Sequence, residues 1–236
     1  MALRNTRVEG HNKNAEYIKL LISEGEHQQL DFKFSINDSR KIARSLVAFA
    51  NTSGGRLLVG VKDNGAIAGV RSEEEFYMVE AAANLYSKPS IDFVANEWIV
   101  DTKKILEIIV PRKNDDKLLY SVSELNNKNL VYIRQNDCNY QVNIVWLKAH
   151  SLKFSEKNIN IQLKKDELKL LSLMKNAEAY SFSRLRKLLS INKYKLENLL
   201  AKFIAINILE IVFTQQGIKY KLVEDMQDFL YQNHTS

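Results

Sequence analysis

Apolar positions recur along this chain with two different periods. From Ala15 to Ser23, Tyr17, Ile18, Leu21 and Ile22 fall at helical spacing, and Gly25 closes the segment. From Gln29 to Phe34 the pattern alternates, with Leu30 and Phe32 on one side of a strand and Asp31 and Lys33 on the other. Helical spacing returns after Asp38 or Ser39, either of which can cap, and runs to about Phe49 with Ile42, Leu46 and Phe49 on the buried stripe. Asn51-Thr52-Ser53-Gly54-Gly55 is a turn and Arg56–Lys62 a strand. Asp63-Asn64-Gly65 predicts a tight hairpin to a return strand over Ile67–Val70. Ser72 and Glu75 have the spacing of a capping box, opening a helix to about Tyr86 ahead of Pro89. Ile91–Val100 and Ile105–Val110 predict a second hairpin joined by Asp101-Thr102-Lys103-Lys104. Leu118–Val122 and Leu130–Arg134 read as short strands. Val142–His150 is ambiguous and leans helical. Helices mixed with hairpins predict an α+β domain over residues 12–150.

The pattern changes after residues 151–162, which have the composition of a linker. Within 163–224, Asp166–Lys175, Phe182–Leu189 and Lys193–Phe203 read as helices. Ile208–Phe213 and Ile218–Leu222 read as two strands around Thr214-Gln215-Gln216-Gly217. Three helices followed by a β-ribbon are the winged form of a helix-turn-helix. In the third helix Leu196, Leu199, Leu200 and Phe203 form the buried stripe. Lys195, Asn198 and Lys202 share another face, with Lys193 and Tyr194 at its N-terminal end. That is the layout of a recognition helix, apolar behind and hydrogen-bonding in front. Arg184, Arg186 and Lys187 on the preceding helix, and Lys219 and Lys221 on the wing, can grip the backbone of a nucleic acid. The alternative is a solvated basic face on a protein-interaction or dimerisation module.

Charge sharpens this division. Of the net +6, residues 161–222 hold 12 Lys and Arg against 5 acids, whereas 1–160 hold 22 against 20. The basic excess sits in the C-terminal module, where a nucleic-acid partner would need it. A single cysteine, Cys138, excludes a disulfide framework and a multi-cysteine zinc site. No apolar run is long enough to span a membrane, and Met1–Asn14 is too polar for a signal peptide, so a cytoplasmic location is expected.

Glu26-His27-Gln28-Gln29-Leu30-Asp31-Phe32-Lys33 holds the candidate chemistry of the first domain. Acids on a sheet face can hold Mg²⁺ or Mn²⁺ through oxygen, and a neighbouring lysine can steady the attacking water or the scissile phosphate. The bland counterpart is an ion pair on a half-exposed strand. Ala48-Phe49-Ala50-Asn51-Thr52-Ser53-Gly54-Gly55-Arg56-Leu57-Leu58-Val59-Gly60-Val61-Lys62-Asp63-Asn64-Gly65 is a helix, a glycine turn and a hairpin, and Asp63 at the strand end could add a third carboxylate.

Together the E-x4-D-F-K and A-N-T-S-G-G…V-K-D-N-G segments resemble the Schlafen AlbA-type domain, once called divergent AAA. The resemblance spans about residues 12–150, with Val131-Tyr132-Ile133-Arg134 resembling the family's late strand ending in Arg. It implies the fold and nucleic-acid binding. With the C-terminal module it resembles bacterial transcriptional regulators that bind DNA, for which a homodimer reading a palindrome is plausible. Some eukaryotic members are metal-dependent endoribonucleases acting on tRNA and rRNA. Their three-carboxylate site maps onto Glu26, Asp31 and Asp63, with Lys33 in the lysine position and Mg²⁺ or Mn²⁺ as the implied cofactor. The family's second acid is commonly Glu. Asp31 is one methylene shorter, which shifts its oxygens toward the backbone.

Gly54-Gly55 is followed by Arg56, and no Gly-Lys pair occurs anywhere, so there is no P-loop and ATP hydrolysis is not expected. Arg134 has two readings, a phosphate contact in the acidic groove or a structural ion pair. Cys138 reads as an incidental thiol, His27 as a surface histidine, and Trp98 and Trp146 as core. The expectation is a DNA-binding regulator, with RNA as the other nucleic-acid partner and metal-dependent RNA cleavage as the enzymatic alternative.

Overall fold

Leu57, Leu58 and Val59 are all buried, yet they serve two different cores, because a strand in the middle of a sheet is covered on both faces. The computed structural model describes residues 6–9, 15–114, 117–122, 129–155, 164–175 and 179–224. Two compact units divide between Val142 and Asn143. The whole is mixed α and β, with seven helices and several small sheets among the described residues.

The first unit contains β1 (Thr6–Glu9), α1 (Ala15–Glu24), β2 (Leu30–Lys33), α2 (Ser39–Ala50), β3 (Gly55–Val59), α3 (Glu74–Asn84), β4 (Ser87–Lys88), β5 (Val94–Val100), β6 (Lys103–Val110), β7 (Tyr120–Val122), β8 (Asn129–Leu130), β9 (Tyr132–Gln135) and β10 (Cys138–Gln141). Its main sheet runs β1-β5-β6-β3-β2. Strands β2 and β3 are parallel, and β3–β6 and β6–β5 are antiparallel. Leu30, Phe32, Leu58 and Ile105 pack with Ile18 and Leu21 of α1 on one face. Leu57, Val59 and Ile108 pack with Leu46 and Phe49 of α2 and Val79 of α3 on the other. Asp38 caps α2, accepting from the Arg40 N–H at 2.9 Å.

Several local expectations change. The return strand over 67–70 does not form. Its place beside β3 is taken by β6, and only an isolated bridge joins Val61 to Ile67. The β5–β6 turn needs two residues rather than four, Asp101 and Thr102, both at positive φ. Ser72 does not cap α3. Glu75 instead accepts from the Arg71 N–H at 3.1 Å, one residue earlier. Strands β1 and β10 carry no alternation strong enough to announce them.

The second unit contains α4 (Ile144–Lys153), α5 (Lys165–Met174), β11 (Tyr180–Ser181), α6 (Phe182–Leu189), α7 (Lys193–Ala205), β12 (Leu209–Thr214) and β13 (Gly217–Leu222). Helix α4, expected at the end of the first domain, packs in this unit's core through Val145 and Ala149. Asn143 secures it at both levels. Its Oδ1 accepts from the Trp146 N–H at 3.0 Å to cap the helix, and its Nδ2 donates to the Tyr220 hydroxyl on β13 at 2.8 Å. Burial pushes that phenol up to about 12. The sheet order is β11-β13-β12, with the ribbon β12–β13 turning at Gln215-Gln216. Leu196, Leu199, Leu200 and Phe203 are the buried stripe of α7, as their spacing predicts.

Candidate nucleic-acid interface

A two-residue turn brings the acidic motif together. His27 and Leu30 exchange backbone hydrogen bonds of 3.0 and 3.2 Å, so the chain doubles back and Glu26 lies beside the strand it precedes. Glu26 Oε1 accepts from the Phe32 N–H at 2.8 Å. Burial first, then the neighbouring Asp31 carboxylate, raises the Glu26 carboxyl above its ordinary range, against the opposing pull of the Phe32 amide and Lys33.

Asp31 is 4% exposed and faced by two cations. Lys33 Nζ stands 2.8 Å from Oδ2, out of hydrogen-bond alignment, and Arg134 Nη2 stands 3.4 Å from Oδ1. Asp63 lies exposed in the turn after β3, outside this cluster. Among the described residues no three His, Cys, Asp or Glu side chains are grouped to hold a metal. Glu26, Asp31 and Lys33 are therefore brought together, but the third carboxylate is not, and the oxygens of Asp31 already face an ammonium and a guanidinium. This donor set does not fit a divalent Mg²⁺ or Mn²⁺ ion.

Arg134, read from the sequence as a phosphate contact or a structural ion pair, has its guanidinium engaged within the fold. It is 2% exposed. Its Nε donates to the His27 carbonyl at 3.1 Å, Nη1 to Asn139 Oδ1 at 3.1 Å and Nη2 to the Leu30 carbonyl at 2.9 Å. The guanidinium carbon lies 4.8 Å from the centre of the Phe49 ring. The glycine-turn motif supports the same core. Thr52 Oγ1 accepts from the Arg134 N–H at 3.0 Å. Asn51 Nδ2 donates to the Leu119 and Tyr132 carbonyls, each at 3.0 Å. Gly54 adopts φ +69°, where a Cβ would come within 2.7 Å of the Arg112 nitrogen, so only glycine closes the turn without strain.

Sequence reasoning did not single out Glu107. It is fully buried on β6, accepting from Tyr17 Oη at 2.8 Å, Trp98 Nε1 at 2.9 Å and Asn96 Nδ2 at 3.0 Å, with Arg56 Nε 3.2 Å away. The visible signal was one charge inside the apolar run Ile105–Val110. Its oxygens are satisfied, so it serves the fold. Cys138 is exposed on β10, and partial desolvation of its thiol, then the neighbouring Asp137, push the thiol above its ordinary range.

In the second unit α6 presents Arg184, Arg186 and Lys187 to solvent, with Arg184 lying 4.9 Å over the Tyr180 ring. Lys193, Tyr194, Lys195 and Lys202 of α7 are also exposed. Several of the expected contact residues already have partners. Lys195 is ion-paired with Asp166 of α5, which raises the ammonium and lowers the carboxyl. Asn198 Oδ1 accepts from Lys148 Nζ at 2.8 Å. On the ribbon Lys219 is half-buried, and Lys221 pairs with Glu210 at 2.8 Å. Asp166, Tyr194, Lys195, Asn198 and Lys202 line a hollow of about 410 Å³.

The model of the family described as Schlafen, AlbA_2 matches residues 26–143, half of the chain. The chain belongs to this Schlafen AlbA_2 family. Its matched segment takes in the acidic motif, the glycine turn and Arg134, and the domain points to nucleic-acid binding. No curated protein matches the chain. Among solved structures it is similar to the DIP2311 protein from Corynebacterium diphtheriae, at 17% identity and a TM-score of 0.42, over 81% of this chain and 34% of that one. The chain thus spans about a third of that neighbour's length. Among the described residues no helix is long and apolar enough to cross a membrane.

Proposed function

We propose that this Schlafen AlbA_2 protein binds duplex DNA through its second unit and acts as a transcriptional regulator. The observation that carries the proposal is the element order α5-β11-α6-α7-β12-β13. The short strand pairs with the far strand of the ribbon, and exposed cations line α6 and α7. That order supports a winged helix-turn-helix with α7 as the recognition helix. Arg186, Lys187, Lys193 and Lys202 would neutralise phosphates, and the ribbon would contribute Lys219 as its wing.

The carboxylate cluster of the first unit favours binding over cleavage. Its two acids are balanced by Lys33 and Arg134, and Asp63 stands apart, so no nuclease step is assigned to it. The experiment that tests the proposal is an equilibrium titration of the full chain with duplex DNA and with RNA of equal length. Duplex binding that is tighter than RNA binding and falls steeply with salt is expected. Binding to neither, or binding indifferent to salt, would overturn the proposal.

A further inference from the structure

Lys148 projects from the middle of α4 onto α7. Its Nζ lies 2.8 Å from Glu197 Oε2, 2.8 Å from Asn198 Oδ1 and 4.4 Å from the centre of the Tyr194 ring. An ammonium has three N–H groups and no lone pair. Two donate to the oxygens and the third is left for the ring face. Glu197 keeps the ammonium there, since its carboxylate is only 6% exposed and Lys193 is more distant, 3.9 Å from Oε1.

This arrangement settles which way the Asn198 amide is turned. A side-chain amide alone can present oxygen or nitrogen to a given neighbour. A donor-only neighbour accepts just one choice, so Oδ1 is committed to Lys148 and Nδ2 is left for outside partners. We propose that Lys148 fixes the hydrogen-bonding polarity of the outer face of α7, making Asn198 a donor that favours guanine and thymine acceptors over adenine in duplex DNA.

The inference rests on reading α7 as the recognition helix. An uncommitted asparagine recognises adenine with two bonds, Nδ2 to N7 and Oδ1 from the N6 amino group. With one of its two lone pairs taken by a cation, Oδ1 is a poorer acceptor for a second donor beside that positive charge, and the bond from N6 is weakened. Guanine presents two acceptors, N7 and O6, and thymine presents O4. Lys193, Lys195 and Lys202 on the same helix also donate only. The face as a whole therefore complements acceptor edges.

The test selects duplexes from a randomised pool with the full chain, with Asn198→Ala, and with the double variant Lys148→Met/Glu197→Gln. The second substitution removes the charge that Lys148→Met alone would leave buried and unpaired, and thermal melts establish that each variant folds. At the base-pair position whose preference Asn198→Ala abolishes, the wild type selects guanine or thymine. The double variant, with Oδ1 released, gains adenine there by about tenfold relative to wild type. A wild type that prefers adenine at that position, or a folded double variant with the wild-type preference, overturns the inference while leaving duplex binding intact. If the double variant does not fold, the wild-type and Asn198→Ala selections still decide, through which base loses its preference. Absence of duplex binding by the wild type would overturn the underlying reading of α7 and this inference with it.

Discussion

Arg134 Nη2 lies 3.4 Å from Asp31 Oδ1 in an interior where the guanidinium is almost wholly hidden from water. The pair joins β9 to the sheet edge at β2, and the same guanidinium satisfies the His27 and Leu30 carbonyls. Its cost of burial is offset only because nearly every polar atom nearby has a partner.

Removing that guanidinium is therefore expensive. Arg134→Met should destabilise the first unit by about 3 kcal/mol, because the His27 and Leu30 carbonyls keep only their mutual backbone bonds and the buried Asp31 carboxylate is left with Lys33 as its one cation. Urea unfolding of the full chain measures this. A loss below about 1 kcal/mol, the value of an exposed ion pair, would contradict the buried arrangement.

Glu26 gives a pH-dependent counterpart. Its carboxyl is raised by burial and by Asp31, so the folded state binds this proton more readily than the unfolded chain does. Stability therefore falls as pH rises from the ordinary Glu value through the raised one. Glu26→Gln keeps the acceptor for the Phe32 N–H and removes the charge. The variant should melt at a higher temperature than wild type at neutral pH, with the gain shrinking as the pH drops through that window. A gain that grows on acidification would reverse the assigned sign.

Asp166 is predicted to restrain DNA binding. It pairs with Lys195 at the edge of the α7 hollow and adds a negative charge where phosphate would approach. Asp166→Asn frees the ammonium and should tighten duplex binding several-fold at low salt, with the advantage narrowing as salt rises. Fluorescence anisotropy with one duplex at several salt concentrations reads this directly. Weaker binding by the variant would mean that Asp166 positions α7 rather than competing with DNA.

Much of the fold was legible because the helices carry their own pattern. The apolar stripes of α1, α2 and α7 and the cap at Asp38 follow from local spacing. Partnerships across long sequence distances were not legible. Strand β6 displaced the expected return strand beside β3, a choice made by core packing rather than by the Asp63-Asn64-Gly65 turn. Helix α4 joined the second unit because Asn143 finds Tyr220, 77 positions away. At the site, Glu26, Asp31 and Lys33 were readable as neighbours. The burial of Arg134 was not, since two of the carbonyls it satisfies lie more than 100 residues away in the sequence. The commitment of Asn198 to Lys148 likewise depends on α4 packing against α7, which no spacing within α7 announces.

On the proposed reading, the exposed cations of α6 and α7 neutralise DNA phosphates. The most direct test measures duplex affinity against salt for the wild type and for Arg186→Ala/Lys202→Ala, which removes one cation from each helix. Each phosphate contact contributes about 0.9 to the slope of log affinity against log salt, so a slope shallower by about 2 and weaker binding at every salt concentration are expected. An unchanged slope with unchanged affinity would show that DNA does not contact this face, and would contradict its role as the DNA-binding surface.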